Sequence, residues 1–122
     1  MQKIRHLERR ETLAYWPALE EQNGEAVGLV TNLSEEGISI HSHVQFEYGH
    51  RLNIRVPVDP ALAGYSFLHL HVENMWCHSS GVKGTFHSGF KIINLSNEAR
   101  EGIQKLLMAF SYPATYTPEI QV

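Results

Sequence analysis

Short runs in which apolar and polar residues alternate one for one recur along this chain, and they constrain its fold more than any other feature. The clearest are Ile38-Ser39-Ile40-His41-Ser42 and Arg51-Leu52-Asn53-Ile54-Arg55-Val56-Pro57-Val58. Successive side chains of a strand point to opposite faces, so such a run buries one face and wets the other. Residues 12–20 fit the same pattern, with Leu13, Tyr15, Pro17 and Leu19 on one parity. So do residues 25–33, with Val27, Leu29 and Thr31 together. A fifth run starts at Phe67 and extends towards His78, and a sixth covers residues 85–95 with Phe86, Phe90, Ile92 and Ile93. Pro17 has no backbone donor and is expected at an edge or a bulge.

Turn residues separate the six runs. Asn23-Gly24 predicts a type I′ hairpin, in which both central residues have positive φ. Asn32 to Gly37 is a polar turn, residues 59–64 a loop, and residues 79–84 another turn. The period changes only at Ser96, an N-cap residue followed by Glu98 and Glu101, with Ile103, Leu106, Leu107 and Phe110 at helical spacing. The fold expected is mainly β: a small six-stranded antiparallel β-barrel with a C-terminal α-helix packed on it. Residues 111–122, with Pro113 and Pro118, are expected to be coil.

Composition narrows the function. The chain has 122 residues, which suits a single domain, and its 43% hydrophobic content argues against disorder. A single cysteine, Cys77, allows no internal disulfide and points to a reducing cytoplasm. No apolar run approaches the length of a membrane span, so no membrane insertion is expected. The net charge of -3 disfavours DNA or RNA as partner. That charge is unevenly placed. The first ten residues carry Lys3, Arg5, Arg9 and Arg10 against Glu8 alone. A basic arm, residues 1–11, on an acidic body (residues 12–110) suits a small anionic ligand better than a long polyanion.

Catalytic and metal chemistry find little support. His41 and His43 share a strand parity, as do His69 and His71, but solvent-facing strand histidines account for that spacing. Zinc sites need three or four converging ligands, and there is neither a CxxC nor an HExxH here. Nucleophile elbows of the GxSxG type and phosphate loops of the GxxxxGK type are also missing. No enzyme, cofactor or metal is expected.

Two clusters remain, Arg5-His6-Leu7-Glu8-Arg9 and Asn32-Leu33-Ser34-Glu35-Glu36-Gly37. RxxxR, then a strand hairpin, then (D/N)xSxxG resembles the PilZ domain family. A late strand of small and hydrophobic residues around glycine, His87-Ser88-Gly89-Phe90-Lys91-Ile92, adds to the likeness, which covers roughly residues 4–110. The resemblance implies a split-barrel fold, no enzymatic activity, and binding of the bacterial second messenger cyclic di-GMP. It implies that Arg5 and Arg9 close over the ligand while Asn32, Ser34, Gly37 and Gly89 form the barrel side of the site. Arg10 becomes a peripheral phosphate contact, and Glu35 and Glu36, at the free positions of the motif, should point away from the ligand. Many members carry a further arginine before the first motif arginine, where this chain has Ile4. With the motif so near the first residue, the signal is expected to pass to a separate effector protein, from a monomer or weak dimer. The alternative is a PilZ-like adaptor that binds no nucleotide and acts by protein contact, for example in motility, pilus or biofilm control.

Overall fold

The computed structural model describes residues 16–111. Arg5, Arg9, Arg10, Leu13, Tyr15 and the tail beyond Ser111 lie outside the described residues, as does the side chain of Phe110. Six strands follow in order: β1 (Trp16–Glu20), β2 (Ala26–Leu33), β3 (Gly37–Ser42), β4 (Arg51–Pro57), β5 (Phe67–Ser79) and β6 (Phe86–Ile93). They close into an antiparallel barrel in the order β1-β2-β3-β6-β5-β4. A short helix α1 (Pro60–Ala63) joins β4 to β5, and α2 (Asn97–Ser111) follows β6.

Alternation fills the interior as expected on three strands. Ile38 and Ile40 of β3, Ile54 and Val56 of β4, and Leu68, Leu70 and Val72 of β5 are all buried. Each such side chain contributes roughly 1.5–3 kcal/mol on leaving water. The helix adds Ala99, Ile103 and Leu106 to the same core. Ser96 caps it by accepting a hydrogen bond from the Ala99 amide at 3.1 Å. Among the described residues, no helix is long and apolar enough to cross a membrane.

The first two strands depart from the expected parity, β2 because it carries two extra residues, Val27 and Thr31, and β1 because it pairs Trp16 with Val30 on the inner face. In β1 the residue facing the core is Ala18, fully buried, while Pro17 and Leu19 are only half-buried. The shift falls between Ala18 and Leu19, where Val27 is the extra residue on β2. Pro17 pairs with Leu29 and lies beyond the two-residue β1–β4 ladder, where its missing donor faces no partner strand. In β2 the core residues are Val30 and Leu33, and Leu29 is 45% exposed. A second shift, between Val30 and Asn32, leaves Thr31 unpaired and reverses the parity beyond it.

Two connections also differ. The turn after β1 spans residues 21–25, and in it Gly24 has φ +74 while Asn23 has no positive φ. Instead Asn23 accepts a hydrogen bond from the Glu25 amide through its side chain. The expected loop at residues 59–64 contains α1, because Asp59 caps the Ala61 amide, Pro60 starts the turn and Gly64 ends it at φ +84.

The barrel closes through a short β1–β4 ladder, Leu19 opposite Arg55 and Glu20 opposite Ile54. Glu21 reinforces it from outside, accepting hydrogen bonds from Arg55 (3.2 Å) and contacting His69. Burial pushes the Glu21 carboxyl up, but the bonds from His69 and Arg55 together outweigh it and hold the group below its ordinary value.

Two outcomes follow from this packing. A Cβ on Gly28 would lie 2.6 Å from the His41 carbonyl oxygen and 2.5 Å from Ile40. Gly28→Ala should therefore cost about 1–3 kcal/mol in urea unfolding; an unchanged midpoint would contradict the β2–β3 packing. A carboxyl with a lowered folded-state pKa contributes stability above its unfolded value, and loses it as pH falls through the folded one. Glu21→Gln should be less stable than the parent at pH 7, with the gap closing below roughly pH 4.3. A gap that stays constant in a urea series down to pH 3 would rule out the clasp.

Candidate functional site

The polar turn between β2 and β3 folds around Ser34. Its hydroxyl accepts hydrogen bonds from the amides of Glu36 and Gly37, both at 3.2 Å, and the Ser34 amide bonds the Gly37 carbonyl at 2.9 Å. The Ile92 amide donates to the Glu36 carbonyl at 2.9 Å, tying the turn to β6. Glu35 tethers it to the helix, accepting from Arg100 at 2.9 Å and from Gln104 at 3.1 Å. Those partners are four apart on α2, so one carboxylate grips two successive turns of one helix face. Gly37 is needed for space and not for a special backbone angle: it has no positive φ, but a Cβ there would lie 2.6 Å from the Phe90 carbonyl oxygen.

Two bulges place the rest of the site. Thr31 is the extra residue of β2, so Asn32 is turned to the outer face opposite Ser39. Met75 is the extra residue of β5, between Asn74 and Trp76. Asn74 therefore points inward, fully buried, and Trp76 points outward opposite Gly89. From inside, the Asn74 amide donates to the carbonyls of Trp76 (3.1 Å) and Gly89 (3.4 Å), which pins the bulge. Ser39 also faces Gly89. Asn32, Ser39, Gly89 and Trp76 thus form one rung across β2, β3, β6 and β5. The next rung holds Gly37, Lys91 and Glu73.

Along these rungs runs a cavity of about 280 Å³. It brings together Asn32, Ser34, Gly37 and Gly89, four of the seven residues expected from the sequence; Arg5, Arg9 and Arg10 lie outside the described residues. The indole of Trp76 lies against Gly89, so closely that a Cβ there would be 2.2 Å from the ring. Trp76 is 41% exposed, and its indole stacks with the His78 ring at 5.1 Å between ring centroids. Glu35 points away from the cavity to the helix, as expected, whereas Glu36 lines it. The reason is that the turn holds Glu36 by its backbone on the β6 side, so its side chain stays on the cavity face.

Sequence reasoning missed Ser39, Met75, Trp76 and Lys91. The available signal was a break in alternation: after Leu68, Leu70 and Val72, the next residue of that parity is the polar Asn74. The lysine is half-committed, 3.9 Å from Glu73, whose other oxygen takes Arg51 at 3.0 Å. One ammonium and one carboxylate therefore face this cavity, and its described walls are close to neutral. Among the described residues, no three His, Cys, Asp or Glu side chains converge as metal ligands.

A family model described as the PilZ domain matches residues 5–109. The chain belongs to the PilZ domain family. Both motif clusters fall within the match, and the closed six-stranded barrel with its trailing helix is the fold of similar PilZ-type structures. One is the Bacillus subtilis inhibitor of motility, MotI/DgrA, with a TM-score of 0.64 and 8% identity over 80% of this chain and 46% of that one. Another is YcgR from Escherichia coli, solved in complex with c-di-GMP, with a TM-score of 0.60 and 13% identity over 80% of this chain and 41% of that one. The chain spans under half the length of either, and at such identities the likeness is one of fold. No curated protein sequence matches. No catalytic family is indicated.

If Gly89 is bare so that the indole can lie on it, Gly89→Ala should fold while displacing Trp76. The Trp76 indole N–H resonance should move well beyond the shifts of core amides such as Val30. A stationary indole signal would show that the glycine has some other purpose.

Proposed function

We propose that this PilZ domain is a receptor for cyclic di-GMP that signals to a separate effector protein. The observation that carries the reading is the shared cavity: four residues of the two barrel-side motifs meet there, beside an exposed tryptophan. The ligand offers two guanines and two phosphates. Trp76 supplies an aromatic platform, and stacking on a base is worth about 1–3 kcal/mol. Asn32, whose side chain makes no hydrogen bond among the described residues, has donor and acceptor atoms for a base edge. Gly37 and Gly89 let the ligand approach backbone closely. Ser34 contributes by holding the turn, since its hydroxyl is already engaged.

The cavity alone is insufficient. Its 280 Å³ falls just below the usual range of roughly 300–1,000 Å³ for small-molecule pockets, and Lys91 opposes Glu36. A dianion needs cations from elsewhere, and the family motif points to Arg5, Arg9 and Arg10 to supply them. A guanidinium fork pairs with phosphate by charge-assisted bonds or with guanine O6 and N7. The first eleven residues then act as a latch whose closure over the ligand changes the surface offered to the effector. The single cysteine suits a cytoplasmic setting.

Calorimetric titration with cyclic di-GMP decides the matter. Heat is expected at micromolar ligand. Arg5→Ala and Arg9→Ala should each remove most of the binding, and Trp76→Ala should weaken it about 5- to 150-fold. Arg51→Ala, on β4 at the far end of the Gly37–Lys91–Glu73 rung and paired with Glu73, should change it little. No heat from the parent protein would leave the nucleotide-free adaptor as the correct reading.

A further inference from the structure

Past Trp76 the outer face of the barrel changes character. Two residues along each strand from Ser39, Gly89 and Trp76 stand His41, His87 and His78. They form one rung across β3, β6 and β5, about 7 Å from the rung of the cavity, with Leu29 of β2 opposite His41. His78 and His87 are exposed and His41 is half-buried.

The other described strand histidines are committed elsewhere. His69 contacts Glu21 and His71 contacts Asn53, each through Nδ1. Beyond the end of β3, His43 donates from Nδ1 to the Gly84 carbonyl at 3.2 Å. His78 stacks on Trp76. His41 and His87 face each other instead. Nε2 of His87 lies 3.1 Å from Nδ1 of His41, with the rings edge to face at 4.9 Å between centroids. Their remaining ring nitrogens make no hydrogen bond with the described residues.

Two imidazole nitrogens at that separation match the bite of a metal chelate. With bonds of about 2.05 Å, two nitrogens on one ion lie about 2.9 Å apart at a right angle and about 3.35 Å apart in a tetrahedron. The value of 3.1 Å falls between the two. Direct pairing of His41 with His87 on neighbouring antiparallel strands holds the two backbones in place, so only the rings need to adjust. Without an ion the facing nitrogens hold one proton between them. An ion takes its place once the donor ring carries that proton on its other nitrogen and both rings tilt so that their lone pairs meet. The second torsion of a histidine is soft enough to allow this at a surface.

The donor set also selects the ion. The rung of Leu29, His41, His87 and His78 contains no carboxylate. Neutral nitrogen donors suit zinc, nickel and copper(II), whereas magnesium and calcium require oxygen ligands. His78, held on Trp76, does not converge with the pair, so water completes the coordination.

We propose that His41 and His87 together chelate one divalent transition-metal ion, zinc or copper(II), on the outer face of the β3–β6 pair. The two residues are 46 apart in the chain, which hides the site from linear spacing. An ion there clips together the strands that carry Ser39 and Gly89. It also sets two positive charges one rung from a cavity whose described walls are close to neutral. The site stands independently of the receptor reading.

The test uses the whole chain without an affinity tag, and the chlorides of zinc, copper(II) and magnesium. Zinc should shift the ring resonances of His41 and His87 saturably at one ion per chain, and EDTA should restore them. His41→Ala and His87→Ala should each lose the response, as should His41→Gln and His87→Gln, which keep more of the side chain's bulk. His43→Ala and His71→Ala should retain it. Copper(II) quenches tryptophan emission at short range, so it should dim Trp76 in the parent and leave it bright in His87→Ala. Comparison with Trp76→Phe separates that signal from Trp16. No response to zinc, an equal response to magnesium, or binding that survives loss of either histidine would overturn the proposal. So would zinc shifts confined to His43, His69 or His71.

Discussion

Closure of the sheet between β1 and β4 is the constraint on which the rest of this molecule depends. An open six-stranded sheet of this size would expose two rows of unpaired amides and carbonyls. Pairing Leu19 with Arg55 and Glu20 with Ile54 removes both edges at once, and Glu21 fastens the seam through Arg55 and His69. Once the barrel is closed, every strand residue is assigned to the inside or the outside. The inside is filled mainly by aliphatic side chains with Phe46 and Phe90, beside the buried Asn74 and Ser88, so ligand-facing chemistry is left to the outer rungs.

The candidate site is preorganised by contacts that a ligand need not make. Ser34 shapes the turn, Ile92 anchors it to β6, and Glu35 clamps it to α2 through Arg100 and Gln104. Little ordering of the barrel side therefore remains to be done on binding. On the receptor reading proposed above, the entropic cost of recognition would fall on the basic segment, at about 1–2 kcal/mol for each backbone residue fixed. The barrel half would then select shape and the arginines supply charge.

Much of this was legible in the chain, for identifiable reasons. The barrel and its helix could be read because β3, β4 and β5 alternate cleanly and because the period changes once, at Ser96. Asn32, Ser34, Gly37 and Gly89 could be found because their spacing is a family signature. What escaped was set by register. Ala18 replaced Pro17 and Leu19 as the core residue of β1 because pairing sets Trp16 opposite buried Val30 and Ala18 opposite Gly28. Leu29 lay outside because extra residues at Val27 and Thr31 interrupt the alternation of β2. Ser39 and Trp76 join the site only as cross-strand neighbours of Gly89, which pairing reveals and linear spacing does not. The α1 turn was hidden because a four-residue helix leaves too short a periodic trace.

The bulges have a further consequence, for how this domain should be compared with its relatives. Asn32 and Trp76 face outward because of a residue count: Thr31 and Met75 are each one more than their partner strands require. A relative lacking either residue could keep the same core and the same neighbouring side-chain types, yet turn the corresponding position into the barrel. Matching residues across these points by identity alone would pair an outward side chain with an inward one. Gaps at positions 31 and 75 are thus better markers than the motif letters of which family members build this cavity from the same parts.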